Sequence, residues 1–295
     1  MLSESQIIEL FQKDSYLLDD CAAIPTNGEI NLVSTDSLSE GTHFRRDWSS
    51  PEDLAIKLLH VNISDLHSSG AKPSWCFLNL GLPSIEDDFI RRFARAFREE
   101  RMACGIDLLG GDTFRSSELQ LQLTMGGYAK RHVMRSGGRP GDVLYVTGTF
   151  GLSLAGYLHL SGQVDAGGMA SLAVGRHLRP RSHPYVDLTH VHAAMDVSDG
   201  IAQDSARLAK ASRVRLEIDL EKIPVAAGLK ITAEEAVVSG EELELLFLAD
   251  ANFSDFLAVP IGVARSGEGC VFMRQGDPVE IGTGFSHFHA VDSSD

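Results

Sequence analysis

The chain has 295 residues, 43% of them hydrophobic and 23% charged, which is the balance of a soluble globular protein with one large domain or two ordinary ones. A formal net charge of −15 excludes the broad basic surface that a nucleic-acid partner would need. No apolar run of about eighteen residues occurs, so no transmembrane helix is expected, and "MLSESQIIEL" lacks the basic-then-apolar layout of a signal peptide. Cys21, Cys76, Cys104 and Cys270 are scattered and form no CxxC, which predicts reduced thiols in a cytoplasmic protein.

In chain order, Ser3 and Gln6 have capping-box spacing and predict a helix through "QIIELFQK". "YLLDDCAAI" sets Asp19 and Asp20 inside an apolar run, and "INLVSTD" reads as a strand ending at Asp36. Ser50 and Pro51 offer an N-cap and a first helical position, opening a helix that Gly70 ends. Ser84 is the expected cap of the next helix, which Gly105 stops; "IDLL" and the alternating "ELQLQLTMGGY" are strands. "RSGGRPGD" is the densest Gly/Pro punctuation, so the expected division is 1–134 and 135–295. Beyond it "VLYVTG" is a strand, "FGLSLAGYLHL" a helix, Asp199–Ala211 a helix, and "VRLEID", "LELLFLA", "CVFM" and "VEIG" strands. The pattern predicts an α/β (α+β) protein of two domains, each a mixed sheet with helices packed over it.

The aspartates carry the chemistry. Asp36, Asp112, Asp196 and Asp199 are each expected where an apolar strand finishes, the usual place for ligands in open α/β sheets. Each alone reads equally as a turn former or cap. Asp65 does not: Leu54, Leu58, Val61 and Asp65 share one helical stripe, so a charge continues an apolar face. Carboxylates converging at about 5 Å repel by roughly 3 kcal/mol per pair at an effective dielectric near 20, which calls for multivalent cations. Oxygen donors select hard ions, Mg2+ first, and Mg2+ keeps phosphate company. No Walker A pattern occurs; the glycines of "VTGTFGLSLAG" stand between strand and helix, where a tight turn is the first expectation and phosphate contact the second. His190/His192 and His287/His289 have HxH spacing but no third soft ligand, so they are expected to be ordinary strand or loop histidines.

In order, "STDSLSEGTHF", "HVNISDLHSSGAKP", "LLGGDT", "RSGGRPGD", "DVSDG" and "SGEELELLF" resemble the thiamine-monophosphate kinase family, within the aminoimidazole ribonucleotide synthetase-like ATP-binding proteins, from about Tyr16 to "GFSHF". The resemblance implies the two-domain aminoimidazole ribonucleotide synthetase-like architecture, a homodimer built through the N-terminal domains, and transfer of the γ-phosphate of ATP to thiamine monophosphate with several Mg2+ ions. Carried over by motif, it implies metal ligands Asp19, Ser34, Thr35, Asp36, Asp65, Asp112, Asp196 and Asp199, with Asp36, Asp65, Asp112 and Asp199 catalytic. It implies ATP contacts at Gly111, Asp112, Arg135 and Ser198, and substrate contacts at His43, Glu241 and Phe285. The chain departs from the family pattern at Tyr16–Leu18, where glycines usually precede the Asp pair. It departs again at Glu242 and Leu243, where Asp and Tyr are usual. Such departures leave open a related enzyme with another small acceptor, or an ATP-binding protein without turnover.

Overall fold

A computed structural model describes residues 19–26, 28 and 30–282, together with Ile7, Leu10 and Phe11. The expected first helix falls largely outside these residues, as do Tyr16–Leu18, Phe285, His287 and His289.

A first sheet is built from β1 (Ala22–Pro25), β2 (Ile30–Ser39), β3 (Lys72–Leu82), β4 (Asp107–Arg115) and β5 (Gln120–Ala129), in the order β1-β2-β5-β3-β4. Only β3 and β4 run parallel. The alternation of β2 and β5 divides this sheet into two faces. Leu32, Ser34, Asp36 and Leu38 lie opposite Gly127, Met125, Leu123 and Leu121 on the inner face, where α1 (Pro51–Ser68) and α2 (Asp87–Ala103) close a core. Thr35 opposes Thr124, and Asn79 opposes both Gln122 and Asp112, on the outer face.

α1 begins as its sequence requires. The Ser50 side chain accepts from the Asp53 N–H and the Asp53 carboxylate accepts from the Ser50 N–H, a full capping box around Pro51. Gly70, at φ +86°, follows its C-cap. α2 starts three residues later than Ser84 suggests: Ile85 packs against the core, Glu86 stays extended and serves as N-cap without a side-chain bond, so Ser84 caps nothing.

The second sheet runs β12-β11-β8-β10-β6-β9-β7. Its strands are β6 (Val143–Val146), β7 (Val191–Asp196), β8 (Arg215–Asp219), β9 (Leu245–Ala249), β10 (Val259–Arg265), β11 (Gly269–Arg274) and β12 (Asp277–Val279). The last strand stops at Val279, short of the "VEIG" expectation. β9 is buried at every position, as an interior strand with both faces covered must be. Over this sheet lie α3 (Leu152–Leu160), α4 (Ala170–Leu178), α5 (Ile201–Ser212) and the short α6 (Ala233–Ala236). α4 carried no sequence signal; Gly156 admits it, because a Cβ there would meet the Ala173 carbonyl at 2.2 Å.

Two expectations about aspartates are corrected here. Asp36 and Asp112 lie inside β2 and β4, not at their ends, because both strands continue through polar residues paired in the ladder.

α1 packs on β7, so it faces both sheets. Residues 179–183 run beside it as a strap: Arg179 pairs with Asp53, Ser182 N donates to His60 Nδ1 at 3.2 Å, and His67 Nδ1 bonds the His183 carbonyl at 2.8 Å.

Candidate active site

Where α1, β2, the start of β1 and the end of β7 meet, carboxylates gather. Oxygens of Asp20, Asp65 and Asp196 lie within 4.8 Å of one another. Ser34, from the inner face of β2, donates its hydroxyl to Asp65. Ser64, one residue before Asp65 on α1, donates to Asp196 at 2.6 Å. Arg135 closes the cluster from the inter-sheet segment. Its N–H donates to both Asp19 oxygens, at 3.1 and 3.2 Å, and its guanidinium pairs with Asp20.

These charges crowd one another. Burial, then Asp20, push the Asp19 carboxyl up to about 6 against the Arg135 backbone donor. Burial, then Asp20 and Asp199, raise Asp36 to about 6 as well. Burial raises Asp65 and Asp196 well above the usual carboxylate range, with Asp36 the leading neighbour for Asp65 and Asp20 for Asp196. For Arg135, burial favours the neutral form, but Asp20 and Asp19 outweigh it and hold the guanidinium charged. One buried oxygen, Asp20 Oδ2, has no hydrogen-bond donor. An oxygen-only donor set with an orphaned carboxylate oxygen and mutual repulsion fits a hard divalent cation. Asp20, absent from the ligands the motifs imply, therefore belongs to the cluster itself.

The "DVSDG" loop is set by residues the sequence reading passed over. Asp204, fully buried on α5, accepts from Ser198 N at 3.1 Å and Asp199 N at 3.0 Å. Arg207 then bridges Asp199 at 2.6 Å and Asp204 at 2.8 Å. Asp196 joins the cluster from the end of β7, and Asp199, beyond Ser198, lies close enough for its charge to raise Asp36. The signal was present: Asp204 and Arg207 are an i,i+3 pair on a helix that starts at the motif.

Not every expected ligand joins them. Thr35 projects from the outer face of the first sheet, its hydroxyl donating to Leu123 O at 3.2 Å and lying 3.0 Å from Thr124 Oγ1. Asp112 is exposed on that same face, accepting from Thr113 N at 2.8 Å. Gly111 beside it has φ +154°, and a Cβ would meet Leu78 O at 1.7 Å, so the strand tolerates only glycine.

A second polar group lies near the start of α1. Lys57 is buried, and its Nζ donates to His43 O at 3.0 Å and pairs with Glu241 at 2.6 Å. Thus His43 and Glu241, far apart in sequence, are joined by one lysine of α1. Glu241 and Leu243 both adopt left-handed backbone, at φ +55° and +52°, a strain that persists only where surroundings enforce it. Between them Glu242 is fully buried. It accepts from Gly151 N at 2.8 Å, Ser153 N at 3.2 Å and Ser239 Oγ at 2.6 Å, with Arg176 alongside. Its carboxylate serves the positive end of α3, and Ser239 takes Leu154 N at 3.1 Å. The glycine turn before α3 consequently has no free N–H row for phosphate, as the tight-turn expectation held. His192 is likewise committed, its Nδ1 3.0 Å from both Asp142 oxygens, and His190 pairs with Asp255 at 2.6 Å.

A depression of about 380 Å³ lined by Glu217, Asp219, Lys222 and Met273 lies on the second sheet. None of its lining residues belongs to either polar group.

Residues 18–129 match the N-terminal domain of AIR synthase related proteins, and residues 139–277 match the C-terminal domain. The chain is 40% identical over 259 residues to thiamine-monophosphate kinase of Leptospira interrogans, covering 84% of each. It is 34% identical over 298 residues to the Escherichia coli K12 enzyme of that name, covering 92% of this chain and 90% of the relative. A solved structure described as AaThiL complexed with AMPPCP and TMP superposes with a TM-score of 0.88 at 31% identity, covering 97% of both chains.

Proposed function

The chain belongs to the thiamine-monophosphate kinase family, and from that premise we infer that it transfers the γ-phosphate of ATP to the phosphate of thiamine monophosphate, giving thiamine diphosphate and ADP. The observation that carries this reading to the residues is the carboxylate cluster of Asp20, Asp65 and Asp196 with Arg135 against it, in a chain whose solved relative binds a nucleotide analogue and TMP.

The chemistry joins two anions, so the site's work is charge neutralisation and alignment. An oxygen of the acceptor phosphate, already anionic at neutral pH, bonds to the γ-phosphorus as the bond to the bridging β–γ oxygen breaks. ADP departs with that electron pair, and no proton has to be removed first. Accordingly the carboxylates are assigned to metal binding, not to general-base work. Asp19, Asp36, Asp65, Asp196 and Asp199 would hold Mg2+, with Asp20 beside them. When bound, Mg2+ supplies positive charge to the phosphate oxygens of nucleotide and acceptor. Arg135 and Ser198 are assigned to the nucleotide phosphates; Arg135 is already positioned through Asp19 and Asp20. His43 and Glu241, tied by Lys57, are assigned to the acceptor.

Residues 1–134 and 135–295 are assigned as the two functional units, and among the described residues no β ladder joins their sheets. We also assign a homodimer. Its support is the outer face of the first sheet, where Phe77, Phe114 and Tyr128 are 39%, 46% and 43% exposed. Gly111, Asp112 and Thr35 sit on strands of that sheet, with Asp112 and Thr35 pointing away from the cluster. In this reading Asp112 serves the nucleotide site across the interface. A cytoplasmic setting accords with four free cysteines and with the absence, among the described residues, of a helix long and apolar enough to cross a membrane.

ADP release tests the reaction: it should require both Mg2+-ATP and thiamine monophosphate, and thiamine, which lacks the accepting phosphate, should not replace it. Equal ADP release without acceptor would exclude the assignment.

A further inference from the structure

Next to the Lys57–Glu241 pair stands a group of rings that no expected contact uses. Trp48 comes from the loop five residues after His43, Tyr157 from α3 and His177 from α4. Their centroids lie 6.0 Å (Trp48–Tyr157), 6.4 Å (Trp48–His177) and 5.8 Å (Tyr157–His177) apart, each pair edge to face at 62–67°. The close approach of α3 and α4 at Gly156 brings Tyr157 against His177. Tyr157 remains 43% exposed, and neither Trp48 nor His177 is fully covered. The trio thus spans the two sheets' units while keeping ring surface open to solvent.

Three facts define what it would take. The Trp48 ring already carries a cation, the Arg45 guanidinium at 4.6 Å from its centroid, so its π face accepts positive charge. Burial holds His177 down to about 4, with Glu241 opposing and Lys57 reinforcing that shift, so its imidazole is neutral near pH 7 and does not repel a cation. Those same two neighbours place the trio beside Glu241, whose charge Lys57 already partners.

We propose that Trp48, Tyr157 and His177 form the subsite for the cationic aromatic end of the acceptor, stacking its rings while Glu241 and His43 fix the orientation of the molecule. The inference rests on the kinase reading, since it assumes that the acceptor occupies the Glu241 side of the cleft. It gives the enzyme a recognition device for the organic part of the substrate, separate from the machinery that handles phosphate. Arg45, exposed and held by Asp47 at 2.6 Å, would yield the Trp48 face to the substrate cation.

The chain has two tryptophans, so Trp75→Phe leaves Trp48 as the only reporter. In that protein, thiamine monophosphate should quench Trp48 emission saturably, thiamine should do so at higher concentration, and inorganic phosphate should not. Trp48→Leu should raise KM for thiamine monophosphate about five- to thirtyfold with KM for ATP unchanged, and Trp48→Phe should recover most of the loss. An unchanged KM in Trp48→Leu, with no quenching by thiamine monophosphate in an enzyme that forms thiamine diphosphate, overturns the subsite and leaves the kinase standing. Saturable quenching by thiamine in protein that forms no thiamine diphosphate supports the subsite and overturns the kinase instead.

Discussion

Asp36 shows what a single side chain does here. It lies on the inner face of β2, with Asp20 and Asp199 as charged neighbours, and keeps its proton up to about 6. An unfolded chain ionises it near 3.8, so keeping it charged above pH 6 costs the metal-free fold on the order of 2–3 kcal/mol. Asp36→Asn should therefore lower turnover more than about a hundredfold while raising the metal-free melting temperature by several degrees. Loss of activity with loss of stability would mean a structural role.

The sign of the pH dependence follows from the same residues. Asp19 and Asp36 have raised folded-state values, so their contribution is complete below about 4 and is lost as pH rises through about 6. Glu52, held down to about 2 by Arg92, acts oppositely but only in more acidic solution. Metal-free protein should lose stability between pH 4 and 6, and Mg2+ should raise the melting temperature more at pH 7.5 than at pH 5, where protons compete for the ligands. Scanning fluorimetry with Mg2+ and with EDTA at both pH values checks this; equal Mg2+ shifts would speak against ligation by these carboxylates.

At the scale of the element, the loop from Ser239 to Glu244 and helix α3 form one unit. Glu242 satisfies the helix N-terminus from a distance because the N-cap, Gly151, has no side chain to do so. Glu242→Ala would leave the Gly151 and Ser153 N–H groups and part of the Arg176 charge unpartnered, a loss of about 3 kcal/mol and a melting temperature lower by roughly 5–10 °C. KM for ATP should stay within about twofold, since Glu242 faces the helix and not the carboxylate cluster. Calorimetry with steady-state kinetics on one preparation separates the two effects.

The elements also show how far the sequence can be read. The capping box at Ser50, the strand alternation of β5 and the misplaced charge at Asp65 were legible because each depends on neighbours within a few residues. Lys57 was not: on a helix flanked by Ile56 and Leu58 it looks like a surface lysine, and only the distant Glu241 explains its burial. The different faces of Asp36 and Asp112 were also hidden, because both end short apolar runs followed by polar residues. Only the register against β5 and β3 separates inner from outer. The role of Glu242 was hidden for a related reason, since it answers a helix about ninety residues earlier in the chain.

Across the whole molecule, α1 is the common wall, carrying Asp65 for the first polar group and Lys57 for the second. The strap at residues 179–183 holds the second unit along it through Arg179, Ser182 and His183. The outer face of the first sheet keeps Phe77, Phe114 and Tyr128 exposed, and the proposed homodimer would cover it. If Asp112 works across a dimer interface, Asp36→Asn and Asp112→Asn proteins, each nearly inactive alone, should regain up to about a quarter of normal activity after subunit exchange, because about half of the dimers are then mixed and each of those carries one intact site of its two. Mixtures that stay inactive, with exchange verified, would place Asp112 in the same chain's site or outside the reaction.

Phosphorus NMR of the purified protein with Mg2+-ATP and thiamine monophosphate tests the phosphoryl transfer most directly. Diphosphate resonances of thiamine diphosphate should grow in step with those of ADP, and neither should appear with Asp36→Asn. ATP left unchanged, or consumed only to ADP and inorganic phosphate, would contradict it.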